Sequence, residues 1–176
     1  MTHSNIPPLS AGTDESIARS IIDLAQYPDV PGDVLCRHAR LLGQAGEAFV
    51  DSLFMRAGVT PLRMPEGLPS DRLFLLPQGA LTAQIKIQTR ARGDTYVFSL
   101  RRGYRGSPAG CRGYKRGDFD LAILVILPLL AMRVVHAPGP SVRIPIAEVP
   151  ALQAQPLSSF WSAVQACQAE QDPELA

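Results

Sequence analysis

Residues 69–89 read PSDRLFLLPQGALTAQIKIQT, a pattern that predicts two short strands joined by a turn. Side chains alternate between the two faces of a strand, so Gln84, Lys86 and Gln88 share one face and the apolar residues between them share the other. The short connection, which contains proline and glycine, is hairpin-like and places Asp71 beside the polar face. An acid, an amide and a lysine that converge beside an apolar sheet predict a site for a metal ion and a phosphate.

Basic residues are concentrated in one part of the chain. The net charge of the 176 residues is only +1, but residues 86–116 hold nine basic side chains and one acidic side chain, a net charge of +8. The flanking segments, residues 1–85 and 117–176, carry −3 and −4. Guanidinium groups donate paired hydrogen bonds to phosphate, so we expect this segment to contact nucleic acid. The residues expected to make these contacts are Arg90, Arg101, Arg102, Arg105, Arg112, Lys115 and Arg116.

Composition and cysteine usage predict a globular protein of a reducing compartment. Hydrophobic residues make up 46% of the chain and charged residues 19%. The three cysteines are far apart and form no C-x-x-C pair, so neither a disulfide framework nor a zinc ribbon is indicated, and we expect a cytoplasmic location. The N-terminus lacks the pattern of a signal peptide. The longest apolar stretch, residues 121–132, is too short to span a bilayer, so no membrane association is expected.

The order of helical and strand patterns predicts an α/β (α+β) domain. A short helix is predicted over residues 14–26, and a longer one over residues 34–57. The expected core stripe of the longer helix is Leu35, Leu42, Ala45, Phe49 and Leu53. Strands are predicted near residues 60–64, 72–76, 81–89, 95–101, 119–127, 132–136 and 142–146, mostly as an antiparallel meander, before a helix at 158–169. The strand at 95–101 is expected to run beside the strand that contains Gln84 and Lys86.

Three short motifs carry a resemblance to a known family. Gly43-Gln44-Ala45-Gly46-Glu47 on a helix, then Pro69-Ser70-Asp71, then Gln84-Ile85-Lys86, resemble the PD-(D/E)XK nuclease superfamily. The segment Gly117-Asp118-Phe119-Asp120-Leu121-Ala122 is similar to a strand in small bacterial and homing-type members. The resemblance implies a restriction-endonuclease-like core, with a mixed sheet flanked by helices. It places the nuclease-like core at residues 34–150, after an N-terminal extension with a short helix (1–33) and before a C-terminal helix and tail (151–176).

The sequence departs from the superfamily pattern at two positions. Ser70 separates the proline from Asp71, which matters little because the proline contributes little chemistry. Gln84 stands where the superfamily normally has an aspartate or glutamate. A glutamine coordinates a hard cation only through its neutral carbonyl oxygen. Homing-type members with a Gln-x-Lys motif are active nucleases, so the resemblance still implies catalysis.

The resemblance implies phosphodiester hydrolysis in DNA with Mg²⁺ or Mn²⁺. Asp71 would be the principal metal ligand, with the side-chain carbonyl of Gln84 and the main-chain carbonyl of Ile85 as further ligands. Lys86 would orient the attacking water or stabilise the developing negative charge. Glu47 would complete the metal shell directly or through water. Cleavage of both strands usually takes two active sites, which favours a homodimer.

Each of these residues also has an ordinary structural interpretation. Glu47 fits an exposed carboxylate on a helix, although glycine at 43 and 46 costs roughly 1 kcal/mol each relative to alanine and indicates close backbone approach. Gln84 and Lys86 fit the solvent face of an amphipathic strand. Asp118 and Asp120 fit a turn and a strand end. A nuclease-fold protein that binds DNA without cleaving it, and a basic loop that binds an acidic partner, are therefore alternatives.

Overall fold

A five-stranded mixed sheet lies at the centre of the fold. The computed structural model describes residues 11–103 and 110–171. The chain divides into two compact units, Met1–Arg40 and Leu41–Ala176. All the β-strands of the described residues belong to the second unit, which also holds the motifs discussed above.

The elements follow one another in a helix, strand, helix order. The helices are α1 (Ala11–Asp23), α2 (Gly32–Arg37), α3 (Ala39–Arg56), α4 (Val149–Ala154) and α5 (Ser158–Gln171). The strands are β1 (Leu62–Arg63), β2 (Arg72–Leu76), β3 (Gly79–Gln88), β4 (Thr95–Ser99), β5 (Arg101–Arg102), β6 (Arg112–Gly113), β7 (Leu121–Ile126), β8 (Ala131–His136) and β9 (Ser141–Pro145). Among the described residues, no helix is long and apolar enough to cross a membrane.

The central sheet has the strand order β1-β2-β3-β7-β8. β2 and β3 form the predicted antiparallel hairpin, in which Arg72 lies opposite Ala83. β3 pairs with β7 in parallel, with Lys86 opposite Leu124, and β7 pairs with β8 antiparallel. The expectation of a mixed sheet flanked by helices is therefore confirmed. The parallel pair shows that the chain is not a simple meander.

Both faces of the sheet are covered, which is why β7 is buried at all six positions. On one face, Phe54 of α3, Phe74 of β2 and Phe160 of α5 pack together, with ring centroids 4.6 Å to 5.3 Å apart. On the other face, a second apolar cluster joins β7 to β4, β9 and α4. This second cluster lies on the polar face of β3. A polar group buried there lowers the stability of the fold unless it has a hydrogen-bond partner.

The long predicted helix is wrong in one respect, because it is interrupted. α2 ends at Arg37 and α3 begins at Ala39, with His38 between them in a non-helical conformation. The predicted stripe of α3 is also displaced by one position after Leu42. The buried residues of α3 are Leu42, Gly46, Val50 and Phe54. A pattern based on side-chain hydrophobicity passes over glycine, although here Gly46 lies against Ile87 of the sheet.

The predicted position of the strand near residues 95–101 is wrong. β4 pairs with β9 in a separate two-stranded sheet, and β5 pairs with β6 in another. The neighbours of β3 in the central sheet are β2 and β7. β4 and β5 instead lie over the polar face of β3, where Gln88 Nε2 donates to the carbonyl of Val97 at 2.8 Å. β4 and β5 contact the side chains of β3, whereas the backbone of β3 pairs with β2 and β7.

Candidate active site

Asp71, Gln84 and Ile85 meet at the start of the β2–β3 hairpin. Asp71 Oδ2 accepts hydrogen bonds from the main-chain nitrogen of Ile85 at 2.7 Å and from Gln84 Nε2 at 2.5 Å. Gln84 Nε2 also donates to the carbonyl oxygen of Ile85 at 3.0 Å. Gln84 is only 7% exposed. The hairpin register produces this arrangement, because it places Asp71 and Gln84 on the same face of adjacent strands.

The environment of Asp71 disfavours its negative charge. Burial raises the pKa of the Asp71 carboxyl, and the nearby charge of Glu47 raises it further. The Ile85 amide hydrogen bond and the charges of Lys86 and Arg72 act in the opposite direction. A partly buried carboxylate beside a second carboxylate is stabilised by any cation that binds between them.

Lys86 extends from the same face of β3 towards β5 and β6. Its Nζ donates to the carbonyl oxygen of Arg101 at 3.1 Å and lies 5.1 Å from the centroid of the Tyr114 ring. Burial lowers the pKa of Lys86, while the charge of Asp71 counteracts part of that effect. The ammonium group is therefore held near Asp71 by a carbonyl and an aromatic face.

Glu47 reaches the site from α3, on the other face of the sheet. Gly46 contacts Ile87, and Ile87 points away from the face that carries Lys86. Glu47 and Asp71 line the same cavity of about 210 Å³. Asp71 therefore has Gln84 as a hydrogen-bond partner, and the charges of Lys86 and Glu47 act on it from β3 and α3. Convergence of all four side chains on one metal ion stays a prediction.

Arg72 is the residue that the sequence analysis missed. It is 3% exposed, and it donates from Nε and Nη2 to the two carboxylate oxygens of Asp51 at 2.7 Å and 2.8 Å. Its Nη2 also donates to Glu47 at 3.1 Å, and its Nη1 donates to the main-chain oxygen of Asp71 at 2.9 Å. Arg72 therefore fixes α3 to β2 and orients Glu47. One feature of the sequence could have indicated this role. Arg72 lies two positions before Phe74, so the two side chains share the apolar face of the strand.

Three of the expected nucleic-acid contacts lie in β5 and β6, a strand pair that we call the arginine ribbon. Arg101 lies opposite Gly113, and Arg102 lies opposite Arg112. Among these expected contacts, the exposed residues are Arg90, Arg101, Arg112, Lys115 and Arg116, and Arg102 is half-buried. Arg116 pairs with Glu170. Arg105 lies outside the described residues.

The remaining acidic candidates have structural roles. Asp120 Oδ2 accepts from the main-chain nitrogen and the hydroxyl of Thr82, at 2.7 Å and 2.8 Å. Asp118 accepts from the main-chain nitrogen of Lys115 at 2.9 Å and closes a turn. The expectation that these two aspartates serve a turn and a strand end is confirmed.

The site supplies oxygen atoms of three kinds. No group of three or more His, Cys, Asp or Glu side chains in the described residues is close enough to hold a metal ion. The carboxylate of Asp71 and the carbonyl oxygen of Ile85 nevertheless both lie within hydrogen-bond reach of one atom, Gln84 Nε2. One carboxylate, one main-chain carbonyl and one amide make up the set of hard donors at this point.

Comparison with known proteins gives a similarity of fold. No protein-family model matches the sequence, and no curated protein matches it. Among solved structures, the chain is similar to the bacterial homing endonuclease I-Ssp6803I, with a TM-score of 0.51 and 19% sequence identity. The similarity covers 60% of this chain and 76% of the homing endonuclease. At this level of identity the similarity is one of fold alone.

Proposed function

We propose that this protein is a divalent-metal-dependent endonuclease of the PD-(D/E)XK type that hydrolyses phosphodiester bonds in DNA. The proposal rests on Asp71, Gln84 and Lys86, which share one face of the hairpin, together with the main-chain carbonyl of Ile85. The fold similarity to a homing endonuclease supports it. The segregation of positive charge in residues 86–116 supports nucleic acid as the substrate.

The donor set suits Mg²⁺ or Mn²⁺. Hard divalent cations prefer carboxylate, carbonyl and water oxygens, and Mg²⁺ commonly keeps several waters. Asp71 and the carbonyl oxygen of Ile85 would hold the ion, and Gln84 would contribute its amide oxygen after rotation of the amide group. The ion would lower the pKa of a bound water and neutralise charge on the phosphate.

The chain's own residues would act around that ion. Lys86 lies near Asp71 and is the cation placed to donate a hydrogen bond to the attacking water or to a phosphate oxygen. Glu47 would add a second negative charge at the edge of the site. Because Glu47 shares its charge with Arg72, we propose that it acts on the metal shell through water.

The arginine ribbon would contact the DNA backbone beside the site. Lys86 Nζ donates to the carbonyl oxygen of Arg101, so the tip of the proposed catalytic lysine contacts the first residue of the arginine ribbon. Phosphate contacts on the ribbon would hold the duplex with one phosphodiester against Asp71. A symmetric homodimer would present two such sites to the two strands.

One observation favours a second candidate, a nuclease-fold protein that binds DNA without cleaving it. The amide nitrogen of Gln84 donates to both oxygens that would hold the ion. An amide in this position satisfies the two acceptors without a metal. In this second candidate the arginine ribbon would still bind DNA, and Gln84 would mark the loss of cleavage.

Nicking of supercoiled plasmid DNA distinguishes the two candidates. We expect nicking with Mg²⁺ or Mn²⁺, none with EDTA, and a loss of at least about 100-fold in Lys86→Met. Lys115→Arg is the control, because it replaces the chain's other lysine and keeps the positive charge that is expected to contact DNA. DNA binding measured in Ca²⁺ should survive in both variants. Binding without metal-dependent nicking in the wild type would favour the second candidate.

A further inference from the structure

We infer that Tyr114 is a positioning residue for Lys86, and that Tyr114 and the carbonyl group of Arg101 together form a seat for the Lys86 ammonium group. The consequence for cleavage rests on the proposed function, whereas the seat itself is a property of the fold. Tyr114 directly follows β6, and Arg101 begins β5. Both strands of the arginine ribbon thus contribute to holding Lys86.

The geometry of the seat is that of two groups that attract a cation. Lys86 Nζ lies 5.1 Å from the centroid of the Tyr114 ring, within the range of a cation–π contact. The same nitrogen donates to the carbonyl oxygen of Arg101 at 3.1 Å. A negative ring face and a carbonyl oxygen both favour the charged form of lysine.

Tyr114 interacts as a neutral ring. Burial raises the pKa of Tyr114 to about 12, and the charge of Asp71 contributes to this increase. At neutral pH the contact is therefore between the ammonium group and the face of a neutral phenol, and no phenolate ion pair is involved.

The Tyr114 ring is held in place by the core. It packs edge-on against Phe119, with centroids 4.9 Å apart. Both aromatic rings contact the apolar cluster between β4 and β7. A flexible four-carbon side chain gains a defined position only from such fixed partners. The strand pair that carries the arginines expected to contact phosphate therefore also positions Lys86.

Nuclear magnetic resonance of selectively ¹³C-labelled lysine tests the seat directly. The chain has two lysines, so the spectrum contains two sets of Hε–Cε signals, and Lys115→Arg identifies the set from Lys86. In the wild type we expect the Lys86 Hε signals to lie upfield because of the ring current of Tyr114. We also expect nuclear Overhauser effects between these protons and the ring. Signals like those of a free lysine, without such effects, would overturn the inference.

Two substitutions separate the ring face from the hydroxyl group. Tyr114→Leu removes the ring, so the upfield shift and the nuclear Overhauser effects should disappear. Tyr114→Phe keeps the face and should leave both unchanged. The inference is wrong if Tyr114→Leu behaves like the wild type, or if Tyr114→Phe loses as much as Tyr114→Leu. Should Tyr114→Leu not fold, the wild-type ring-current shift still decides.

The rate of plasmid nicking tests the consequence for the reaction. Loss of the ring leaves the Lys86 ammonium group less well positioned, so Tyr114→Leu should slow nicking at pH 7 about 3- to 10-fold at saturating DNA. Tyr114→Phe should nick at the wild-type rate. An unchanged rate in a folded Tyr114→Leu enzyme would contradict the positioning role. Absence of nicking in every form would instead contradict the proposed function, and the lysine spectra would still test the seat.

Discussion

Gly46 of α3 lies directly against Ile87 of β3. A Cβ atom on Gly46 would stand 2.4 Å from Ile87 Cγ1 and 3.1 Å from its Cδ1, so a side chain at this position would overlap Ile87. Gly43, one turn earlier, has nothing within 4 Å of its Cβ position. Close approach at Gly46 places the next residue, Glu47, at the edge of the sheet beside Asp71.

The first prediction compares these two glycines. Gly46→Ala should lower the free energy of unfolding by about 1–3 kcal/mol, because the new methyl group overlaps the Ile87 side chain. Gly43→Ala should raise it by up to about 1 kcal/mol, since alanine is the better helix former and has open space. Urea denaturation of the three proteins measures both changes. Equal effects of the two substitutions would show that the close approach at Gly46 does not constrain packing.

The second prediction concerns the amide of Gln84. In the absence of metal, Gln84→Glu should lower the melting temperature, because a carboxylate would replace a donor that faces Asp71 and the Ile85 carbonyl. Mg²⁺ should then raise the melting temperature more in the variant than in the wild type, because the ion binds a site with one more negative charge. Thermal melts with EDTA and with Mg²⁺ measure both effects.

Gln88→Glu is the matched control for that experiment. Gln88 lies on the same strand and face, and its amide nitrogen donates to the Val97 carbonyl. Its substitution should also destabilise the protein, but Mg²⁺ should not compensate. A similar Mg²⁺ response in both variants would count against Gln84 as a ligand.

The third prediction links the charge of Asp71 to stability. Because burial raises its pKa in the folded protein, the stability it contributes is fully present below its ordinary pKa of 3.8 and is lost as pH rises through the raised value. Charged Asp71 therefore costs stability at neutral pH. Asp71→Asn keeps an acceptor for the Ile85 amide and should stabilise the metal-free protein at pH 7 by up to about 0.5 kcal/mol, a value kept small because the carboxylate is only partly buried.

Two comparisons check that assignment. The difference in unfolding free energy between Asp71→Asn and the wild type should vanish near pH 3, where Asp71 is protonated in both folded and unfolded states. Asp51→Asn should instead destabilise the protein by about 2–4 kcal/mol, because it weakens the partner of the buried Arg72 guanidinium. A destabilised Asp71→Asn at pH 7 would mean that the carboxylate is needed by the fold itself.

The fourth prediction concerns the arginine ribbon. Replacement of Arg101 and Arg102 by alanine should weaken binding to all DNA sequences alike and reduce the salt dependence by up to about two phosphate contacts. The free energy of unfolding should change by less than about 1 kcal/mol in total. Fluorescence anisotropy across a salt series measures the slope, and Arg56→Ala, an exposed arginine at the end of α3, is the control. An unchanged slope in the double variant would place the DNA surface elsewhere.

The sequence was sufficient where the pattern is local. The hairpin, the shared face of Gln84 and Lys86, and the position of Asp71 follow from the two-residue period of a strand and a short turn. The helical cost of glycine indicated the close approach at Gly46, but the same argument was wrong for Gly43, which has nothing within 4 Å of its Cβ position. The charge of residues 86–116 is a property of composition alone.

Tertiary structure decided the features that depend on distant partners. Arg72 can be buried because Asp51 and Glu47 neutralise its guanidinium group and accept its hydrogen bonds. Both acids lie on α3, which β1 separates from β2 along the chain. The parallel pairing of β3 with β7 displaces β4 from the sheet, and no local pattern encodes that choice. The seat of Lys86 depends on Arg101 and Tyr114, which are far from it in sequence. Alternation fixes which way a side chain points, whereas the groups it meets are set by long-range packing, which no short stretch of sequence contains.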